Sequence, residues 1–364
     1  MENLELVEGD ELNRIDNIQG LRGIAVLLVL FSHLFRIEEK YGGNSILPEF
    51  ILGGISGVDL FFVISGFIMV AVTTGKKRGL ESALTFIYQR SSRIYPLYWV
   101  YTTLVLMVFL INRSWVNGGG EVDLLSSYLL LPQDSAPLLN VGWTLVHEMY
   151  FYIVFFLVLF LPERFVGGYL LIWAIGILFL NLFFDFSSPF LKLVLNPLTY
   201  EFIGGGMLAL VFRGVWAWMS SRMLVLTSFF LILLMLLGNE VFTEHYGEQP
   251  HGWWRLLVFG VPSLAIVLLL VKAGETGFQL PKWLISVGDA SYSIYLSHVL
   301  VLSVLGRGWY TFATSGVGDN LIVLPVIVIS SLFFGLISYH VLEKPALRLS
   351  KKFFHRMKFD LKTA

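Results

Sequence analysis

The chain has 364 residues, 56% of them hydrophobic and 14% charged, with a net charge of −1 and a mean hydropathy of +0.74. Its apolar residues fall in long blocks without the amphipathic spacing of a soluble core, which excludes a soluble globular protein. It contains no cysteine, so structural disulfides and thiolate chemistry are excluded too.

In chain order the apolar blocks predict ten helices, over 18–35, 54–73, 94–112, 141–161, 168–184, 198–212, 223–238, 256–271, 290–305 and 321–342. Each is near the length a bilayer requires. The runs are apolar all round, whereas barrel strands alternate, so the expected fold is all-α, a polytopic membrane bundle of about ten transmembrane helices. The first run lacks a small-residue cleavage site and reads as a retained helix, not a signal peptide. The expected organisation is an N-terminal tail (1–17), one transmembrane domain (18–342) and a basic C-terminal tail (343–364). The acidic start (Glu2, Glu5, Glu8, Asp10, Glu11) and the basic end read as solvated tails. Basic residues such as Lys76, Lys77, Arg78, Arg90, Arg93 and the cluster after Lys344 fall on the side of the termini. Arg36, Lys40, Arg113, Lys192, Arg255 and Arg307 fall on the other. The positive-inside rule therefore predicts that both termini are cytoplasmic.

Ionisable residues inside such spans are functional candidates by default. Arg22 and His33 lie on the first span, eleven positions apart and so about 16 Å apart along a helix. Asp59 opens the second span. Arg90 and Arg93 share a face at the cytoplasmic mouth of the third, where two guanidinium forks suit phosphates, although arginines there also serve topology and lipid headgroups. Glu148 lies about two turns into the fourth span, at a depth that lets it meet His33. A carboxylate beside an imidazole orients it and raises its basicity, as a general base requires. An interfacial histidine, and a structural network pairing Glu148 with Arg113, are the bland readings of the same residues. Glu201 and His298 are further polar positions within spans, and Trp143, Tyr150 and Tyr152 could line a sugar cleft. His147–Glu148 does not form a metal motif, and no Gly-x-Ser-x-Gly elbow, Walker loop or His-Glu-x-x-His pair is present.

Six stretches together carry a family resemblance. They are Ile18–Ala25 with His33; Gly57–Phe67; Arg90-x-x-Arg93-Ile94-Tyr95-Pro96-x-Tyr98; Trp143-Thr144-Leu145-x-x-Glu148-x-x-Phe151-Tyr152; Gly288–Leu296 with His298; and Glu343-Lys344-Pro345. In this order they resemble membrane acyltransferase family 3, bacterial proteins that O-acylate surface and secreted glycans, and most of all its exopolysaccharide-production branch. The resemblance implies transfer of an acyl group, acetyl foremost, from cytoplasmic acyl-CoA to a hydroxyl of a cell-surface or exported polysaccharide. It implies His33 and Glu148 as catalytic residues and Arg22, Arg90 and Arg93 as acetyl-CoA-binding residues. Asp59, Trp143, Tyr152, Glu201 and His298 would bind substrate or support the site, and no metal is expected. Implied partners are a polysaccharide or lipid-linked glycan, membrane lipids and polysaccharide-assembly machinery, with no nucleic acid, in the bacterial inner membrane. Glu343 and Lys344 read as structural. The chain ends about twenty residues past the tenth span, so a stand-alone transferase without an appended esterase-like domain is expected. From the residues alone, a proton-coupled exporter of glycans or small molecules is the alternative, since it too uses midplane carboxylates. It commonly shows paired half-sequences, and none is evident here.

Overall fold

The computed structural model describes residues 16–214, 219–314 and 316–363. The acidic start and Arg14 lie outside the described residues. Among these the chain is helical with no strand. The principal helices are α1 (Asp16–Tyr41), α2 (Gly57–Thr73), α3 (Leu80–Ile111), α4 (Leu124–Leu129), α5 (Gly142–Val158), α6 (Val166–Phe183), α7 (Pro189–Val194) and α8 (Thr199–Val211). They continue as α9 (Ser221–Tyr246), α10 (Gly252–Arg255), α11 (Val261–Glu275), α12 (Lys282–Asp289), α13 (Ser291–Tyr310), α14 (Gly318–Ser338) and α15 (Lys344–Thr363).

Among the described residues, eight helical stretches are long and apolar enough to cross a membrane. The pair α12 and α13, bent by 74° at their junction, meets the same length and apolarity only when taken together, and α5 is a shorter apolar helix. These ten coincide one for one with the ten apolar runs of the sequence. Large apolar side chains face outward, with Ile111 76% and Ile172 71% exposed, as lipid-facing surfaces require. The C-terminal stretch read as a tail is helical from Lys344 to Thr363 and follows a π-helical turn, Tyr339–Glu343, without a break. At α3 the helix begins fourteen residues before the apolar run, at Leu80 after Gly79 with φ of 119°. Ala83 and Phe86 are buried and anchor this polar first part. Arg90 and Arg93 thus sit ten and thirteen residues inside a helix.

The chain divides into two compact units. One comprises residues up to Ser32, Glu49–Lys76 and Tyr200–Asp289; the other comprises His33–Pro48, Lys77–Thr199 and the chain from Ala290. In the first, Leu21, Leu60, Val63, Phe67, Met235, Phe259 and Ile266 form a buried core. Two glycines let backbones touch there. A Cβ at Gly66 on α2 would collide with the Phe202 carbonyl on α8, and one at Gly205 on α8 with the Val63 carbonyl on α2, the small-residue contact by which membrane helices pack closely. Asn17 ties the start of α1 to the α11–α12 connection, donating to the carbonyls of Leu270 (2.9 Å) and Phe278 (3.0 Å) and accepting from the Leu280 N–H (2.9 Å). In the second unit, buried Glu38 accepts from the backbone N–H groups of Ile46 and Leu47 and from Asn320. This satisfies a carboxylate that would be costly to leave bare.

Candidate active site

In the second unit α5 and α13 face one another through two polar stripes. On α5, Thr144, Glu148 and Tyr152 recur every four residues; on α13, Tyr292, Tyr295 and His298 recur every three, so each set lines one side of its helix. The stripes meet where the hydroxyls of Thr144 and Tyr295 lie 2.9 Å apart. One turn further along α13, buried His298 donates from Nδ1 to the Ile294 carbonyl at 3.1 Å. Because a carbonyl can only accept, this bond fixes the tautomer and leaves Nε2 with its lone pair. That nitrogen has no hydrogen-bond partner among the described residues. The ring of His33, in the second half of α1, packs edge-on against His298 with centroids 5.1 Å apart.

At the other end of the stripe, the Tyr152 hydroxyl donates to the Glu148 carboxylate. The partly buried Arg90 guanidinium lies beside this pair, with Arg93 close by. Arg90 also covers the face of Phe86 at 5.6 Å. Glu148 therefore has a hydroxyl donor and a nearby cation in an apolar surround, which offsets the desolvation of its charge. Tyr292, near Glu148, donates to the Ile94 carbonyl of α3 at 2.7 Å. A line of polar groups so runs from the histidine pair through Tyr295 and Thr144 to Glu148, Tyr152 and Arg90, spread over about 12 Å of α5. Buried Glu343 accepts from Ser293 and holds the π-helical turn against α13.

The first unit holds the remaining candidates. Arg22 donates to the Gln19 amide oxygen at 3.1 Å. Asp59, the third residue of α2 and fully buried, accepts a two-bond fork from Arg255, Nε to Oδ1 at 2.9 Å and Nη2 to Oδ2 at 2.8 Å. Glu201, the third residue of α8 and also fully buried, lies beside Asp59. Both carboxylates stand in the first turn of a helix, where the dipole favours negative charge. Gly260 closes the π-helical turn Leu256–Gly260 after Arg255, and a Cβ there would come within 2.9 Å of Glu201 Oε1.

Three features escape a reading of the sequence alone. Arg255 is the cation for Asp59, yet by position it counts only as a loop charge. His298, itself a candidate from its place in a span, packs on His33, and only the three-residue spacing of Tyr292, Tyr295 and His298 points toward that pairing. Trp143 points to a third feature, because it lines a cavity at the start of α5 together with His147 and a loop that carries no motif. Among the described residues no three His, Asp or Glu side chains are placed to hold a metal ion.

The chain is similar to known proteins over most of its length. The chain is 28% identical over 339 residues to the exopolysaccharide production protein ExoZ of Rhizobium meliloti (strain 1021), covering 86% of this chain and 94% of that one. It is 24% identical to nodulation protein 10 of Rhizobium leguminosarum bv. viciae, over 92% and 94% of the two chains. It is 27% identical to a candidate acetyltransferase, ORF330, of Acidianus two-tailed virus, over 79% and 84%. No solved structure gives a significant match. A family profile described as an acyltransferase domain matches residues 15–340, nearly the whole membrane bundle, and the chain therefore belongs to membrane acyltransferase family 3 and is an acyltransferase.

Proposed function

We propose that this protein transfers an acetyl group from cytoplasmic acetyl-CoA to a hydroxyl of an exported or cell-surface polysaccharide. It would do so in the bacterial inner membrane, with both termini in the cytoplasm. The observation that carries this reading is the polar line of the second unit, which has two imidazoles at one end and two guanidinium groups at the other, set among helices with lipid-facing exteriors. Arg90 and Arg93 supply forks for the phosphates of the donor, and Arg22, on the same helix as His33, serves the thioester. The relatives' names, exopolysaccharide production and acetyltransferase, support the acceptor and the acyl group.

In this scheme the acceptor oxygen attacks the thioester carbonyl while His33 takes the hydroxyl proton. The C–S bond breaks, and the departing thiolate receives that proton as coenzyme A. Alternatively the imidazole attacks the thioester first, the C–S bond breaks to expel coenzyme A thiolate, and the acyl-imidazole passes its acyl group to the hydroxyl, whose proton ends on the thiolate. Glu148 and Tyr152 support the base through the polar line, and His298, held in one tautomer by Ile294, sets the orientation of the His33 ring. Asp59 and Glu201 support the α2–α8 contact. The test is acyl transfer by the purified protein in liposomes, with labelled acetyl-CoA inside and an oligosaccharide acceptor outside. Labelled ester on the external saccharide is the expected result; label that stays on coenzyme A, or saccharide that crosses unmodified, contradicts the proposal.

A further inference from the structure

A cavity of about 410 Å³ opens at the start of α5 in the second unit, within the range of about 300–1,000 Å³ typical of small-molecule sites. Its walls come from the loop after α4, the first turns of α5, and α7. The loop is braced from several directions. Tyr95, Tyr98 and Trp99 of α3 donate to the carbonyls of Leu129, Ser127 and Tyr128 in α4. The Ser127 hydroxyl accepts from the Leu138 N–H at 3.0 Å, and Asn117 donates to the Pro137 carbonyl at 2.9 Å. On the opposite wall, Asn181 holds the Leu195 carbonyl at 2.8 Å. The cavity is thus formed before any ligand arrives, which lowers the ordering cost of binding.

Its chemistry is specific. The side-chain amide of Gln133 has both its nitrogen and its oxygen buried without a hydrogen-bond partner among the described residues, an unmet donor and an unmet acceptor in one group. The amides of Asn140 and Asn196 and the indole of Trp143 line the same space. The opposite charges of Lys192 and Asp134 stand 3.9 Å apart on the exposed rim and offset each other. Lys192 is the one lysine or arginine among the lining residues, and with Asp134 beside it the wall has no arginine fork or uncompensated cation to favour a phosphate. A ligand with alternating hydroxyl donors and acceptors and an apolar C–H face fits the amides and the indole together. We propose that this cavity seats a neutral pyranose unit of the acceptor glycan, with Gln133 exchanging hydrogen bonds with its hydroxyls and Trp143 covering its C–H face. The assignment rests on the acyl-transfer reading above. Its position suits that reading, because Trp143 adjoins Thr144, the residue whose partner Tyr295 lies one turn from His298.

The test uses the full-length protein in nanodiscs. Its probe is neutral oligosaccharides released by mild acid from the surface polysaccharide of the cell that carries the protein, end-labelled with tritium, with binding read by equilibrium dialysis. Wild type should bind the saccharides, Gln133→Ala and Trp143→Ala should weaken that binding about tenfold or more, and Trp143→Phe should restore most of it. Affinity for coenzyme A should stay within about twofold throughout. Equal saccharide binding by wild type and both alanine variants, no binding by wild type, or a parallel loss of coenzyme A affinity would overturn the assignment. Gln133→Ala guards against misfolding, since it alters a loop side chain and no helix. If the binding pattern holds but wild type transfers no acetyl group, the transfer reading fails and the saccharide site stands. If transfer occurs with equal binding in all variants, the saccharide site alone fails.

Discussion

Replacing Arg255 with leucine should destabilise the first unit by about 3–5 kcal/mol, the range for stripping one partner from a buried ion pair. The geometry sets this magnitude. The Asp59 side chain is 0% and the Arg255 side chain 14% exposed, so solvent screens the pair far less than the surface bridges worth about 0–1 kcal/mol. Two charge-assisted hydrogen bonds, at 2.9 and 2.8 Å, contribute about 1.5–3 kcal/mol each, and their sum agrees with that range. Removing the guanidinium also leaves the buried Glu201 and Asp59 carboxyls side by side. Glu201→Gln in the Arg255→Leu background should therefore recover part of the loss. A double-mutant cycle with Asp59→Leu, read by denaturant titration of the protein in mixed micelles, should give a coupling energy of about 2–3 kcal/mol. An Arg255→Leu cost below about 1 kcal/mol, or a coupling within about 0.5 kcal/mol of zero, would refute this account of the pair.

Arg90→Ala and Arg93→Ala should each weaken acetyl-CoA binding by about 1–3 kcal/mol, with lysine restoring only part because a point charge lacks the fork; an unchanged dissociation constant in the double variant would assign the motif to topology alone. Because the chain has no cysteine, single cysteines report orientation cleanly. Asp185→Cys should react with an impermeant maleimide applied outside, and Lys77→Cys only after the cytoplasmic side is opened, while the reverse pattern would invert the proposed topology. Gly66→Ala should cost about 1–3 kcal/mol, since its Cβ must push the Phe202 backbone away. Gly176→Ala, which meets nothing within 4 Å among the described residues, should be neutral or stabilising by up to about 1 kcal/mol, both read by the same denaturant titration.

The helical bundle was legible because burial in lipid writes itself as unbroken apolar length, and α2, α6 and α14 follow those runs closely. Polar stretches that are helical for tertiary reasons were not. The first part of α3 carries Tyr88, Gln89 and Arg90, too polar to register as a span, yet Phe86 and Ala83 pin it into the bundle and draw the arginines inward. The bend between Asp289 and Ser291 likewise leaves no trace in hydropathy. Individual site residues stood out because an ionisable side chain in a span is conspicuous. Their partners did not, since Arg255 meets Asp59 across 196 positions and His298 meets His33 only through the fold. The cavity at α5 was least legible of all, because its chemistry resides in the unpaired amide of Gln133, a property of surroundings and not of sequence spacing.

The central claim, that the His33 imidazole carries the proton or the acyl group, is tested most directly by turnover of labelled acetyl-CoA to glycan ester in proteoliposomes for wild type, His33→Ala and Glu148→Gln. General acid–base help is worth about 100-fold or more. The account therefore predicts that His33→Ala falls below about one hundredth of wild-type turnover with insertion and acetyl-CoA affinity retained, and that Glu148→Gln falls to an intermediate rate. A His33→Ala protein keeping more than about a tenth of wild-type turnover would contradict it.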